Sequence, residues 1–556
     1  MNGIVALFLV LALCSCSVEC QFDSGMSDDR TVIVQLFEWT FNDIKQECKN
    51  VLGPQKFGGV VTSPIAEYQI IEHPVNGKIV RPWWERYQPL SWKIISRSGN
   101  EQEFAEMVKE CNKNGVRIYV DAVINHAVYY AAGGDSGVTE GVGGTSADVR
   151  HKDYPGLGFN VTNFHPSCTL DFRNRTSVRI CELWGLHDIN STQPYVQDKI
   201  AAYLNKLIGL GVAGFRVDAG KHIWPEDLEN IYSKLKDVSL NGGKTRMRPY
   251  MMIEIIEDVG AVRPEEFYQE EYRHLGAGYD YSFVGKVAEA IRRGTIPFSD
   301  VFNYVKNPTY NSKVVQVPGT NHDFQRFEFP STAIEYSNID RMHQEMVNAF
   351  IATYPRGVPN IFSGYKYNTI DDGPPADESY RILSASNCTN GWTCEHRSKS
   401  FIWIMKYFTN PLKDIPLEEW WSEWNNGAVQ AAFTRGKEGF AVFNGDANEL
   451  HHTFNVSLPP GIYCDLVTGY YSKFNKKCMG SLKREVEVKE DGSLSISLPA
   501  ILRHRYWIPK GGPGREVNED EPPYLVISVN SMYPEEDFPS HSELSRKIAW
   551  AMVCVF

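Results

Sequence analysis

The sequence predicts an α/β protein: a (β/α)8 TIM barrel with a loop-rich insertion after its third strand, followed by a C-terminal all-β sandwich domain. Three observations carry this. Short β-branched runs alternate with amphipathic stretches across roughly the first 390 residues, which is the pattern of a parallel sheet wrapped by helices. The runs number eight, as a closed barrel needs. Beyond about residue 415 the pattern changes to short alternating strands separated by turns, the signature of a sandwich.

The elements follow in order. Residues 1–20 read as a signal peptide, with an apolar run from Ile4 to Leu13 that is too short to span a bilayer. TVIVQLFEW (31–39), FGGVVTSP (57–64) and GVRIYVDAVINH (115–126) are the first three strands, separated by FNDIKQECKNVLG and EQEFAEMVKECNKNG. A Gly-rich, cysteine-bearing segment, 127–189, interrupts the alternation. The helix that follows places Val196, Ile200, Leu204, Leu207 and Ile208 on one stripe. GVAGFRVDAG, RPYMMIEI (248–255), GYDYSF (278–283), VVQVPGTNHD (314–323) and GVPNIFSGY (357–365) complete the eight. The expected domains are therefore a barrel over 21–126 and 190–414, an inserted domain over 127–189 and a sandwich over 415–509. Residues 510–556, rich in Pro, Gly and acids, are expected to be a flexible tail.

A net charge of −12 argues against a nucleic-acid partner, and no Lys/Arg block offers the basic face such a partner requires. The closing apolar stretch KIAWAMVCVF is too short to cross a membrane. With the leader set aside, eight cysteines lie in the body, and their spacing suggests local staples: Cys388 with Cys394, Cys464 with Cys478, and Cys168 with Cys181, leaving Cys48 with Cys111. Cys554 is left over. Sequons at Asn160, Asn174, Asn190, Asn387 and Asn455 suit an exported chain.

In a barrel the strand C-termini meet on one face, so side chains far apart in sequence converge there. Those ends carry Asp121, Asn125 and His126 (third strand), Arg216 and Asp218 (fourth), Glu254 (fifth), and Asn321, His322 and Asp323 (seventh). Carboxylates crowded into one bowl repel one another, which raises the proton affinity of at least one. Cutting an acetal asks for that division: one carboxyl kept protonated, another ionised.

DAVINH, GFRVDAGKH, the glutamate of MMIEI and TNHD resemble the four signature regions of the alpha-amylases, glycoside hydrolase family 13. RPWWERYQP, LNKLIGLGVAGFR, CEHR and YCDLVTG are similar to the animal branch in particular, so that the likeness covers roughly residues 30–505. The resemblance implies a secreted, monomeric, retaining endo-hydrolase of internal α-1,4-glucosidic bonds in starch, glycogen and maltooligosaccharides. It makes Asp218 the nucleophile, Glu254 the general acid and base, and Asp323 the transition-state stabiliser. Trp83, Trp84, Tyr87, His126, Arg216, Lys221, His222 and His322 match sugar-binding positions. Of these, Trp83 and Trp84 also read as ordinary buried tryptophans, and Lys221 as a solvated helix start. Glu85 and Arg86 read as a local ion pair.

The resemblance further implies a calcium ion held by Asn125, Arg179, Asp188 and His222, although Asp188 could instead cap the following helix. It implies a chloride position at Arg216 and Asn321. At the third chloride position Asn360 stands where the family usually has arginine, which removes a cation. FEFPST follows TNHDFQR where a Gly-rich segment is usual, and Thr320 replaces a usual aspartate.

Overall fold

The computed structural model describes residues 22–240, 243, 245–256, 269–306, 315–326, 341–415, 423–501 and 521–534. The expected leader, the FEFPST stretch and Cys554 lie outside them. The chain divides into two compact units.

The first unit is built on eight parallel strands: β1 (Ile33–Leu36), β2 (Gly59–Thr62), β3 (Arg117–Ala122), β4 (Gly214–Val217), β5 (Tyr250–Ile253), β6 (Ala277–Tyr279), β7 (Val315–Pro318) and β8 (Val358–Ser363). They close into a barrel in the order β1-β8-β7-β6-β5-β4-β3-β2. Every residue of β1 to β5 is buried, as expected of strands covered on both faces. The sixth predicted run is only half strand. Asp280 ends β6 by accepting the Phe283 N–H at 3.0 Å, and Tyr281–Ala288 is helical. A short acid that caps a helix start outweighs the strand preference of the aromatic residues around it.

Local chemistry fixes the neighbouring helices. Asn100 and Glu103 form a capping box that starts Glu101–Lys113, and Pro194 opens Pro194–Gly209, whose predicted apolar stripe is buried. Cys48 and Cys111 are bonded, tying Glu101–Lys113 to the chain just beyond Phe41–Glu47. The other three predicted pairs are bonded as well.

Between β3 and β4 the insertion is rooted on an antiparallel pair, His126–Tyr129 with Leu186–Asp188. It also carries the hairpin Val138–Glu140 with Ser146–Asp148 and the Cys168–Cys181 bond.

The second unit contains two four-stranded antiparallel sheets. One runs in the order β9 (Glu423–Asn425), β10 (Gln430–Arg435), β11 (Gly439–Asn444) and β16 (Tyr524–Ser528). The other runs β12 (Leu450–Asn455), β15 (Ser493–Leu498), β14 (Glu485–Val488) and β13 (Gly461–Cys464). Their facing side chains, among them Phe440, Val442, Phe454, Tyr463, Leu494, Ile496, Leu525 and Ile527, form one core.

β16 corrects the expectation of a flexible tail from residue 510. YLVIS is a fully buried strand paired along β11 from Gly439 to Phe443. The Pro/Gly/acid composition of its surroundings hides a five-residue strand, Tyr524 to Ser528 with Leu525, Val526 and Ile527 at its centre, long enough to complete a sheet. Replacing Leu525, which is buried in that core, by Ala is expected to cost about 2–5 kcal/mol. A chemical-denaturation midpoint equal to that of the unaltered protein would contradict this.

Candidate active site

Register places the chemistry. Arg216 of β4 lies level with Asp121 of β3 and with Met252 of β5. Side chains on a strand alternate, so two residues further along, Asp218 and Glu254 emerge level on the same side. The backbone closes this corner: the Glu254 N–H donates to Val217 O at 3.0 Å, and the Ala219 N–H donates to Glu254 Oε2 at 3.0 Å. Ala219 achieves this in the left-handed region, with φ 50°. Gly220 then admits no side chain, since a Cβ would sit 2.4 Å from Ile253 Cγ2 and 3.1 Å from Glu254 O.

Arg216 binds the carboxylates together. Its Nη1 donates to Asp121 Oδ1 at 2.6 Å and to Asp218 Oδ1 at 2.9 Å, and its Nη2 donates to Glu254 Oε1. Tyr87 donates its hydroxyl to Asp121 Oδ2 at 2.9 Å. Asp323 follows β7 at the start of the short helix His322–Arg326, with His322 Nε2 3.4 Å from its Oδ2.

Burial sets the electrostatics. It pushes Asp218 and Glu254 above the usual carboxylate range against the pull of Arg216. It lifts Asp121 to about 7 and Asp323 to about 8; Asp218 adds to the rise in the first and Glu254 to that in the second. Arg216 thus opposes protonation of Asp218, yet burial is the larger influence. The histidines are held neutral by the same cause: burial lowers His126 to about 4 and takes His222 and His322 well below their ordinary value.

The remaining predicted residues fall around this centre. The His322 ring lies between Phe37 (4.7 Å) and Tyr87 (5.2 Å), stacked on both, with Trp83 edge-on at 5.2 Å. Trp83 is buried and donates its indole N–H to Ile370 O, so it braces this stack. Trp84 is partly exposed, its indole N–H on Asp371 Oδ1 at 3.0 Å and its ring 5.6 Å from His73. His126 Nε2 lies 2.9 Å from Tyr87 O. Lys221 is no solvated helix start: its Nζ donates to Ile256 O at 3.0 Å, and burial lowers it to about 8. Glu85 and Arg86 do not pair with each other. Glu85 binds Arg81 and Arg97, and Arg86 binds Glu38. Asp121 is the residue that sequence reading named at a strand end without giving it a role. Its signal was a lone acid in the apolar run RIYVDA, which burial tolerates only beside a cation.

The expected calcium positions come together in two pairs. Asp188 is level with His126, the Ile189 N–H donates to Asn125 O, and His222 Nδ1 is 2.7 Å from Val178 O, beside Arg179. Asp188 does not cap the following helix, whose cap position is Gln193. Its Oδ2 meets His165 Nδ1 at 2.6 Å, while its buried Oδ1 has no hydrogen-bond partner. The Arg179 side chain turns to Glu271 and Tyr272, leaving its backbone oxygen as the donor. A buried carboxylate oxygen without a hydrogen-bond partner fits a hard cation. Among the described residues no group of three His, Cys, Asp or Glu could hold a metal, so such a shell would rest mainly on neutral oxygens. The chloride positions fit their ion poorly. Arg216 shares its charge among three carboxylates, the Asn321 amide is engaged by Tyr281 and Phe324, and Asn360 is a neutral residue of β8.

Residues 91–406 match the family described as "Alpha amylase, catalytic domain", and residues 420–501 match "Alpha amylase, C-terminal all-beta domain". The chain belongs to the alpha-amylase family. It is 37% identical over 508 residues to an alpha-amylase-related protein of Drosophila sechellia, a match covering 88% of this chain and 94% of that protein. A second alpha-amylase-related protein, from Drosophila orena, is 37% identical over 509 residues, covering 88% of this chain and 95% of the relative. Among solved structures, a mutant of alpha-amylase I from Eisenia fetida in complex with maltohexaose superposes with a TM-score of 0.78 at 29% identity, covering 91% of this chain and 98% of that one. Membership of the alpha-amylase family supports glycoside hydrolase activity.

Two outcomes test the electrostatics of this alpha-amylase-family centre. Arg216→Met leaves buried carboxylates without their cation and is expected to destabilise the protein by about 3–5 kcal/mol, read from the denaturation midpoint. Asp323 binds its proton more tightly when folded than the ordinary value of 3.8 allows, so it contributes stability at low pH that is lost as pH rises through about 8. Asp323→Asn is therefore expected to flatten the fall in melting temperature between pH 5 and pH 9 by at least about 2 °C. Parallel melting curves for the two proteins would contradict that.

Proposed function

We propose that the protein is a secreted, monomeric, retaining endo-hydrolase of internal α-1,4-glucosidic bonds in starch, glycogen and maltooligosaccharides. The observation that carries this reading is the single guanidinium of Arg216 joining Asp218 and Glu254, with Asp323 at the neighbouring end of β7. Two carboxyl groups that share one guanidinium are held on the same side of the bowl, an arrangement that suits direct attack by one of them, as in retaining glycosidases.

In this reading a substrate brings its own hydroxyls into the bowl and excludes water. Glu254, whose proton affinity burial raises, gives its proton to the leaving glycosidic oxygen. Asp218, its charge opposite Arg216, attacks the anomeric carbon and forms a glycosyl ester. Glu254, now ionised, takes a proton from an entering water, whose oxygen attacks the same carbon and releases Asp218. Asp323 holds sugar hydroxyls beside the reacting carbon and so helps stabilise the transition state of both steps. The neutral His126 and His322 donate or accept hydrogen bonds to sugar hydroxyls without adding charge, and Tyr87 holds Asp121 in place.

Asn125, Arg179, Asp188 and His222 would hold a calcium ion through their oxygens, and that ion would tie the insertion to the exit of β4. Export is supported by the apolar leader, the sequons and the four disulfides. Among the described residues no helix is long and apolar enough to cross a membrane.

Glu254→Gln is expected to abolish starch hydrolysis, a loss of at least about a thousandfold in kcat, while the protein still melts cooperatively. Starch turnover by this variant close to that of the unaltered protein would refute the assignment. Mixed maltooligosaccharides are the expected products, whereas glucose alone would replace the internal cut by an end cut. A chelator is expected to lower the melting temperature of the unaltered protein by more than it lowers that of Asp188→Asn.

A further inference from the structure

The insertion displays aromatic rings that neither the core nor the carboxylate centre uses. Trp184 is 75% exposed, Tyr130 56% and Tyr129 37%. The exposure is built in: Trp184 takes a left-handed conformation, φ 53° and ψ 24°, which a side chain of this size rarely adopts. Gly185 follows in the same region of backbone space, and a Cβ there would lie 2.7 Å from the Tyr130 ring and 2.8 Å from that of Tyr129. The Tyr130 N–H donates to Gly185 O at 2.8 Å, so the tyrosine pair rests on the turn that presents the indole. The two tyrosine rings are 4.6 Å apart.

These rings are continuous with the active site. Phe172 lies 6.4 Å from Trp184 and 6.3 Å from His222, and the Lys221 ammonium sits 5.3 Å from its centre. Lys221 in turn donates to Ile256 O, two residues beyond Glu254. The run therefore leaves the centre on the side of the group that protonates the departing oxygen. Trp83, Tyr87 and His322 flank Asp121 and Asp323 instead.

We propose that Trp184, with Tyr130 and Phe172 beside it, is a stacking platform for the glucosyl units on the leaving-group side of an α-glucan. The apolar face of a glucose ring matches an exposed indole, and the tyrosine hydroxyls and the Lys221 ammonium supply polar partners for the sugar rim. A platform at this place would hold the reducing-end portion of the chain and so help set where the chain is cut. The proposal rests on the hydrolase reading above.

The test uses maltoheptaose, both as a ligand for the inactive Glu254→Gln protein and, labelled at its reducing end, as a substrate for the active one. Adding Trp184→Ala to the inactive protein is expected to weaken binding about tenfold, with Trp184→Phe restoring most of it. In the active protein Trp184→Ala is expected to move the cut toward the labelled end, giving shorter reducing-end fragments. A role confined to folding does not shift the cut. Phe474→Ala, which removes another exposed ring, is expected to alter neither readout. Full-strength binding and an unmoved cut in Trp184→Ala would overturn the platform alone. A protein that neither binds nor cuts maltoheptaose would overturn the platform and the hydrolase reading together.

Discussion

The site depends on one buried cation. Among the described residues Arg216 is the single positive charge in contact with Asp121, Asp218 and Glu254, and all of them are withdrawn from water. Removing a carboxylate from water costs several kcal/mol unless a partner compensates, and three cannot be compensated fully by one guanidinium. The shortfall appears as elevated proton affinity across the whole group. In a folding ledger that is a liability. Under the proposed function it is useful, since a carboxyl with raised proton affinity is better placed to hold the proton that acetal cleavage requires.

The barrel makes that concentration of charge affordable. β1 to β5 are buried throughout, and their registers fix which residues rise to a common level at the strand ends. Asp121, Arg216, Asp218, Glu254 and Asp323 all lie at or just past the ends of β3, β4, β5 and β7. The insertion between β3 and β4 adds a second set of polar positions at the same end, anchored by the pairing of His126–Tyr129 with Leu186–Asp188.

Much of this was legible in the sequence because parallel strands write themselves as apolar runs and because barrel topology brings their ends together without any knowledge of contacts. Asp218, Glu254 and Asp323 followed from position, and the signature segments gave them roles. Other features depend on contacts that sequence spacing does not encode. Glu85 and Arg86 are adjacent and opposite in charge, yet neighbours on a tight helical turn point apart: Glu85 pairs with Arg81 one turn earlier and with Arg97, and Arg86 pairs with Glu38. Asp121 looked like any acid at a strand end until Arg216 and Tyr87 were seen to share it. The exposed indole of Trp184 was invisible because exposure is set by backbone geometry, here a left-handed residue followed by a glycine. β16 was hidden by composition: a short apolar strand is diluted when its surroundings are averaged with it.

That last strand bears on how the molecule is made. β11 is synthesised well before its partner β16, and until YLVIS emerges one side of β11 offers unpaired backbone N–H and C=O groups to whatever is nearby. Open strand edges recruit other chains. The nascent polypeptide thus passes through a stage in which its later domain is sticky, so a chaperone that shields β strands, or slow translation through this region, should govern yield more than the barrel does.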